Sequence, residues 1–286
     1  MWNKAPEGFI GCTSSYEEAK IVLFGAPFDS TTSYRPGARF GPPAIRQESF
    51  GIETFSPYLD RDLTDKKIFD GGDLELPFGD TEAALSMIEA AADKILSDQK
   101  LPVLLGGEHL VSLGAIRACA KRYDKLHIIH FDAHTDLRDS YLGVKLSHAS
   151  IIRRSHEILG DGRIFQFGIR SGDREEFAWA DQKHTMLHRF DFAGLEDTVR
   201  SLSTQHAPVY FTVDLDVLDS SVFPGTGTPE AGGVSFEALR QAMALVAEQC
   251  DIVGCDLVEL APGLDVSGAS TAVAVKLLRE LLLALS

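Results

Sequence analysis

Three side chains that commonly bind metal ions occur within five residues of this chain. Asp132, His134 and Asp136 alternate in the segment Phe131-Asp132-Ala133-His134-Thr135-Asp136. In an extended chain, residues two apart point to the same side, so these three side chains are expected to converge. Two carboxylates and one imidazole suit a borderline-to-hard divalent cation such as Mn²⁺ better than a metal bound by thiolates. On this segment alone, a strand that ends in a solvated polar loop is an equally good interpretation.

Two other segments carry side chains of the same kind. Asp214 and Asp216 alternate at the end of another apolar run, and His109 follows Gly106 and Gly107 where a strand is expected to turn into a helix. Taken singly, such a pair of acids is typical of a loop, and such a histidine more often ends a helix or packs in a core.

Short apolar runs alternate with amphipathic stretches along nearly the whole chain. Strands are predicted at residues 20–25, 101–105, 126–132, 163–168, 208–214 and 251–257, with weaker ones near 66–69 and 185–187. Helices are predicted at residues 81–96, 109–122, 148–158, 174–180, 235–249 and 270–285, with Thr81 and Ser235 as N-caps. Continuously apolar strands between helices indicate a mainly parallel sheet covered on both faces. The prediction is a single α/β domain over residues 1–286, with a three-layer α/β/α architecture.

A parallel sheet brings the carboxyl ends of its strands to one edge, so the three segments are expected to meet there. The candidate metal ligands are then His109, Asp132, His134, Asp136, Asp214 and Asp216. Four clustered carboxylates would repel one another, and two divalent cations would balance their charge. The combined segments therefore predict a two-metal site.

The composition excludes several classes of partner. The chain has 286 residues and a net charge of −15, which argues against nucleic acid or an anionic membrane surface as the main partner. The N-terminal residues lack a hydrophobic signal core, and no apolar run approaches 18 residues. Four scattered cysteines give no sign of a disulfide framework. A cytoplasmic protein is expected.

These segments resemble the ureohydrolase family, which comprises arginases, agmatinases and their relatives. The Gly-Gly-x-His, Asp-Ala-His-x-Asp and Asp-x-Asp elements appear in the family's order, and the similarity extends from about Ile21 to the C-terminus. Further agreement lies in four short motifs: Ser147-His148-Ala149, Gly168-Ile169-Arg170-Ser171-Gly172, Pro224-Gly225-Thr226-Gly227 and Val258-Glu259. Within the family the chain is most similar to bacterial agmatinases, through the segments at residues 25–29 and 41–46. The resemblance implies the arginase/deacetylase-like fold.

The resemblance also implies a role for each site residue. Two Mn²⁺ ions per subunit would be bound, with Asp132 and Asp214 bridging them. The first ion would take His109 and Asp136 as its other ligands, and the second would take His134 and Asp216. A hydroxide between the ions would attack the guanidinium carbon of the substrate.

The same resemblance makes His148 and Glu259 the catalytic residues. His148 would shuttle protons or help the leaving amine depart, and Glu259 would orient the guanidinium. The alternative for His148 is a capping or packing residue at a helix start, and the surrounding constellation favours catalysis. His130, on the same strand face as Asp132, is interpreted as supporting a ligand or packing in the core. The remaining histidines are expected to be surface or packing residues: His127, His156, His184, His188 and His206.

The loop at residues 137–148 bears on the choice of substrate. It does not resemble the arginase segment that binds the α-carboxylate and α-amine of arginine, which favours agmatine, the decarboxylated form. Asp139 could attract a distal ammonium or could be a turn residue. Arg138 and Lys145 leave guanidinobutyrate or a smaller guanidine open.

Two other classes of function stay open at this point. One is a guanidine-binding relative with little turnover, against which the complete ligand set counts. The other is a dinuclear phosphoesterase.

The small guanidino substrate would be the main partner, and relatives of this kind commonly form homo-oligomers, as trimers or hexamers.

Overall fold

An eight-stranded parallel sheet forms the centre of the molecule. The structure is a computed structural model that describes residues 8–285. The strands are β1 Ile21–Ala26, β2 Phe55–Ser56, β3 Arg61–Asp62, β4 Ile68–Asp73, β5 Leu101–Gly106, β6 His127–Phe131, β7 Ile164–Ile169, β8 Met186–Arg189, β9 Pro208–Asp214 and β10 Asp251–Val258. The sheet order is β4-β1-β5-β10-β9-β6-β7-β8, and every neighbouring pair is parallel. The short strands β2 and β3 pair separately as an antiparallel hairpin.

Helices cover both faces of this sheet. They are α1 Gly41–Glu48, α2 Thr81–Ser97, α3 Ser112–Arg122, α4 Ile151–Leu159, α5 Arg174–Trp179, α6 Leu195–Thr204, α7 Phe236–Gln249 and α8 Ala269–Ala284. One core contains buried residues of α1, α6, α7 and α8, and the other contains those of α2, α3 and α4. Successive residues of one strand enter opposite cores, as Leu104 and Leu105 of β5 do. The predicted three-layer α/β/α architecture with a parallel sheet is therefore confirmed.

All eight strands of the sheet lie where the apolar runs predicted them, with ends displaced by a few residues. The extension of a single domain over residues 1–286 stays a prediction, since residues 1–7 and 286 lie outside the described part. Within the described part, the search for helices long and apolar enough to cross a membrane finds none. The four cysteines are free, and Cys255 packs in the core as expected of a small hydrophobe.

Two helices were not predicted. Helix α1 begins at a Gly-Pro-Pro sequence for which no helix was predicted, but its prolines occupy the first turn, where a helix does not need their missing N–H groups. Helix α6 buries Leu195, Val199 and Leu202, a spacing that the sequence did contain.

One of the two predicted N-caps is also wrong. Asp80, not Thr81, caps α2, because its carboxylate accepts the Ala83 N–H at 3.0 Å. The Ser235 cap of α7 is confirmed by its bond from the Ala238 N–H.

Candidate metal centre

The four central strands β5, β10, β9 and β6 end at one cleft of about 230 Å³. Because these strands are neighbours and parallel, the residues that follow them meet at one edge of the sheet. The cleft is lined by most of the predicted site residues: His109, His134, Asp136, His148, Asp214, Asp216 and Glu259. Asp132 lies beneath them and is fully buried.

Asp132, His134 and Asp136 do converge, but not through strand alternation. Strand β6 ends at Phe131, and Asp136 has a φ of 52°, in the left-handed region. The turn is closed instead by the His134 N–H, which donates to Asp132 Oδ1 at 2.6 Å. A buried non-glycine residue with positive φ is costly, and such strain is frequent at functional sites. The expected convergence therefore comes from an irregular loop that the surrounding structure holds in place.

His109 lies at the centre of three acids. Its Nδ1 is 3.0 Å from Asp132 Oδ2, and 3.3 Å from an oxygen of each of the other two, Asp136 and Asp214. The other ring nitrogen, Nε2, is 2.9 Å from Thr212 Oγ1, which in turn donates to Asp256 Oδ1 at 2.6 Å. Because the Thr212 hydroxyl uses its proton on Asp256, it accepts one from His109 Nε2. In the neutral ring, Nδ1 is then the nitrogen whose lone pair faces the acids and could bind a metal ion.

His134 occupies the equivalent position in a second group. Its Nδ1 is 3.0 Å from Asp216 Oδ2 and 3.4 Å from Asp132 Oδ1. Asp216 sits in a short turn after β9, where its N–H donates to Asp214 Oδ1 and its own Oδ1 accepts the Ala133 N–H. Asp132 thus contacts both histidines, one with each carboxylate oxygen.

The charges of this cluster are not balanced by the protein alone. Burial, together with the charge of Asp132, raises the pKa of Asp136 to about 7, and burial and its acidic neighbours raise the pKa of Asp214 as well. Burial disfavours protonated His109 and His134, but their carboxylate partners outweigh it and raise both pKa values. In Asp132, burial is outweighed by the charge and hydrogen bonds of the surrounding histidines, so its pKa is lowered. Protons here occupy positions that cations could take, and the donor set of carboxylates and imidazoles fits hard-to-borderline divalent ions.

His130 supports this cluster from behind. Its Nε2 is 2.8 Å from Asp132 Oδ2, and its Nδ1 is 3.1 Å from the Gln166 amide nitrogen. Gln166 also donates to the carbonyl oxygen of Thr135. This position agrees with the interpretation of His130 as a residue that orients a ligand.

His148 also lines the cleft and is held by the segment that follows β1. Its backbone N–H donates to Thr31 Oγ1 at 3.0 Å, and its Nε2 is 3.2 Å from Ser33 Oγ. Thr31 is fixed in turn by Glu108, a fully buried acid whose pKa burial raises to about 7. Burial, and then the positive charge of His134 and His109, lowers the pKa of His148 to about 4. The imidazole is therefore neutral at pH 7.

Glu259 follows β10 and also has a left-handed backbone, with a φ of 67°. Its Oε1 accepts the His109 N–H at 2.8 Å, which places the carboxylate at the floor of the cleft. Burial raises its pKa well above the usual range. An acid held this way is available to pair with a buried cation.

The mouth of the cleft is formed by Arg138, Tyr141 and Asp173. Arg138 is the only lysine or arginine among the described residues that line the cleft. Its guanidinium lies 4.5 Å from the centre of the Tyr141 ring and 2.6 Å from Asp173. Asp139 lies outside this lining and binds Arg154 at 2.8 Å, so it acts as a loop residue.

Several supporting residues were missed by the sequence reasoning. Glu176 accepts from Thr135 Oγ1 and the Leu137 N–H and thereby holds the loop after the ligand motif. Arg170 donates to the carbonyls of Asp216 and Leu218. The local signal for Glu176 was the capping box that it forms with Asp173 at the start of α5, and Arg170 lay in a quoted motif without a role assigned to it. The partners of Thr212 and Arg170 are distant in sequence, so no local pattern reveals them.

Known proteins are similar to this chain in sequence and in fold. The model of the arginase family matches residues 19–284. The agmatinase of Bacillus cereus is 49% identical over 277 residues, which cover 96% of this chain and 95% of that protein. A crystal structure of a Clostridium difficile relative, also 49% identical, superposes with a TM-score of 0.92 over 95% of this chain and 99% of its own. The agmatine ureohydrolase of Thermoplasma volcanium is 34% identical, with a TM-score of 0.89 over 98% of this chain and 94% of its own.

The chain belongs to the arginase family. It is a ureohydrolase enzyme, of the family that uses a dinuclear metal site, and the resemblance identified from the sequence motifs is confirmed.

Proposed function

We propose that this enzyme hydrolyses agmatine to putrescine and urea at a centre of two Mn²⁺ ions. The observation that carries the proposal is the pair of histidine-centred acid groups, which share Asp132 at the floor of one cleft. The identity of about half the residues with an agmatinase over nearly the whole chain supports the choice of reaction.

The ligands divide between the ions as the contacts divide between the histidines. One ion would be held by His109 and Asp136 and the other by His134 and Asp216. Asp132 and Asp214 would contact both ions. When bound, paired ions lower the pKa of a shared water toward neutrality, which provides the nucleophile.

Glu259 and His148 have complementary tasks in this proposal. The Glu259 carboxylate would bind the guanidinium N–H groups and fix the carbon of the substrate over the centre. The neutral His148 imidazole, which lines the same cleft, would accept the proton that the attacking water gives up and transfer it to the departing amine. Because the amine leaves protonated, the C–N bond breaks without release of an unstable amide anion.

The mouth favours a substrate with a distal ammonium. Asp173 and Glu176 both face Arg138, at 2.6 and 3.7 Å, so the local charge of these three side chains is negative. A carboxylate such as that of arginine would find no unpaired cation among the described residues of the lining. Guanidinobutyrate is the second candidate, because Arg138 would face its carboxylate if the ion pair with Asp173 opened.

A urea-release screen with metal analysis of the same sample tests the proposal. The substrates are agmatine, arginine, guanidinobutyrate, guanidinopropionate and guanidine, each assayed with Mn²⁺-loaded protein. We expect the highest kcat/KM for agmatine. Urea from another guanidine alone would overturn the substrate but keep the mechanism, and guanidine binding without turnover under Mn²⁺, Ni²⁺ and Co²⁺ would indicate a binding protein.

We further propose that the protein acts in the cytoplasm, in polyamine biosynthesis, as a homo-oligomer of three or six subunits. The similarity to agmatinases supports the pathway. Light scattering of the purified protein tests the oligomeric state.

A further inference from the structure

A second group of side chains of the kinds that bind metal ions lies near the amino ends of the sheet strands. His156 is in α4, Asp161 is in the turn that leads into β7, and His184 precedes β8. The cleft lies at the carboxyl ends of the parallel strands, whereas these residues precede the amino ends of theirs. The group is therefore separate from the metal centre described above.

The two imidazoles converge on one carboxylate oxygen. His156 Nε2 and His184 Nδ1 each lie 2.7 Å from Asp161 Oδ1. The side chain of Asp161 is 66% exposed, while those of His156 and His184 are 16% and 27% exposed. The carboxylate is thus open to solvent, and the two rings behind it are held by packing.

The packing comes mainly from one indole. The His184 ring stacks on Trp179 at 4.3 Å between centres, and the His156 ring meets the same indole edge-on at 4.7 Å. The Arg153 guanidinium also lies over this indole, at 4.0 Å. Because both imidazoles are oriented before any ion arrives, binding would order few additional groups.

The spacing suits a divalent transition metal. One nitrogen of each histidine and one oxygen of Asp161 lie within 4.8 Å of one another. Zinc bonds of about 2.0–2.2 Å in tetrahedral geometry place ligand atoms roughly 3.3 Å apart. Each distance between a histidine nitrogen and Asp161 Oδ1 would therefore increase by about half an ångström when the ion binds. The Asp161 carboxylate accepts hydrogen bonds from His184 and His156, and these lower the pKa of its carboxyl.

We propose that His156, Asp161 and His184 form a second cation site, for a zinc-class divalent metal such as Zn²⁺, Ni²⁺ or Cu²⁺. Two imidazoles and one carboxylate prefer these ions to Mg²⁺ or Ca²⁺. The bound ion would connect the end of α4 with the segments that lead into β7 and β8. Since β8 is the outermost strand of the sheet, the ion would stabilise the position of β8 beside β7.

Trp179 provides a reporter for this site. The chain contains two tryptophans, so Trp2→Phe leaves Trp179 alone. Cu²⁺ is paramagnetic and quenches the fluorescence of an adjacent indole, whereas Zn²⁺ does not. We therefore expect Cu²⁺ to quench the Mn²⁺-loaded Trp2→Phe protein with saturation at one equivalent per chain, and we expect Zn²⁺ to reverse the quenching by competition.

Asp161→Asn, made in the same background, is the decisive variant, because an exposed side chain can be exchanged without disturbing the fold. Its matched control is Asp197→Asn, another exposed aspartate paired with a basic residue. We expect Asp161→Asn to weaken Cu²⁺ binding at least about tenfold. Even the loss of a residue that only hydrogen-bonds to a metal ligand lowers metal affinity about 10- to 100-fold. The control should bind as the parent does, and both should retain Mn²⁺-dependent urea release.

Two results would overturn the proposal. One is the absence of saturable quenching by Cu²⁺. The other is quenching of the same affinity in Asp161→Asn and in the parent, which would leave the three residues as a hydrogen-bonded cluster only.

Discussion

The floor and the mouth of the cleft are built differently. At the floor, Asp132 is fully buried and contacts His109, His130 and His134. At the mouth, Asp173 has a side chain that is 56% exposed, and besides the capping box of α5 its partner is one partly exposed arginine, Arg138. Many buried partners fix a side chain in one position, whereas one exposed ion pair is worth little and opens readily. We therefore expect the floor to determine the reaction and the mouth to determine which guanidine enters.

The largest expected effect is at the floor. Asp214→Asn removes one negative charge and one proposed ligand of both ions with almost no change of volume. We expect the metal content to fall below two ions per chain and urea release to fall to background. Elemental analysis and the urea assay on one sample measure both quantities. Normal stoichiometry with two ions would contradict the ligand assignment, and Asp197→Asn serves as the control for the loss of an aspartate charge.

A substitution of His148 should reduce turnover without affecting metal binding. His148→Ala leaves the six proposed ligands in place, so both ions should stay while kcat falls by about 10²- to 10⁴-fold, the usual worth of a general acid or base. Steady-state kinetics with metal analysis gives the result. Ser33→Ala removes only the hydroxyl beside His148 Nε2 and should cost much less. An unchanged kcat in His148→Ala would rule out its role in proton transfer.

A smaller, opposite pair of effects is expected at the mouth. Arg138→Gln leaves Asp173 without its cation, so kcat/KM for agmatine should rise a few-fold and that for guanidinobutyrate should fall. Asp173→Asn should do the reverse. The changes should diminish in high salt, because exposed charges are screened. Equal changes of kcat/KM for both substrates would show that the charges at the mouth do not discriminate between an ammonium and a carboxylate at the distal end of the substrate. Arg200→Gln is the control for a general change of surface charge.

The smallest effect concerns stability without metal. The raised pKa values of Asp136, Asp214, His109 and His134 mean that at pH 7 the folded state retains protons that the unfolded chain has largely released. When the folded state binds more protons, stability falls as the pH rises. The groups with lowered pKa values, Asp132, His130 and His148, are deprotonated in both states above pH 7 and do not contribute.

We therefore expect metal-free protein to lose about 1 kcal/mol or more of unfolding free energy between pH 7 and 8.5. The Mn²⁺-loaded protein should lose less, because ions replace the protons. Urea unfolding at pH 7 and at pH 8.5 measures this change in unfolding free energy for both forms. Buried thiols change the free energy of both forms equally, so they do not affect the comparison. A metal-free protein that is as stable at pH 8.5 as at pH 7 would contradict the electrostatic account.

The sequence was most informative where a pattern is local. Apolar runs predicted all eight strands of the sheet, and the carboxyl-edge rule then brought His109 near Asp132, 23 residues away. The reason given for the convergence of Asp132 and Asp136 was wrong, because the strand ends at Phe131 and the left-handed conformation of Asp136 is imposed by tertiary contacts. Helix α1 was missed because prolines at a helix start resemble those of a loop.

The supporting contacts were beyond local reasoning. Thr212 of β9 contacts His109 and donates to Asp256 of β10, and Glu108 accepts from Thr31 across 77 residues of sequence. His156 and His184 looked like isolated surface or packing histidines, yet both contact Asp161. Contacts of this kind depend on strand order, which residue spacing alone does not specify.

One titration tests the central claim most directly. Metal-free protein is loaded stepwise with Mn²⁺, and urea release from agmatine is measured against the number of ions bound per chain. The structure predicts that activity rises until two ions are bound and then stays constant. Full activity with one ion, or no urea from agmatine with two ions bound, would contradict it.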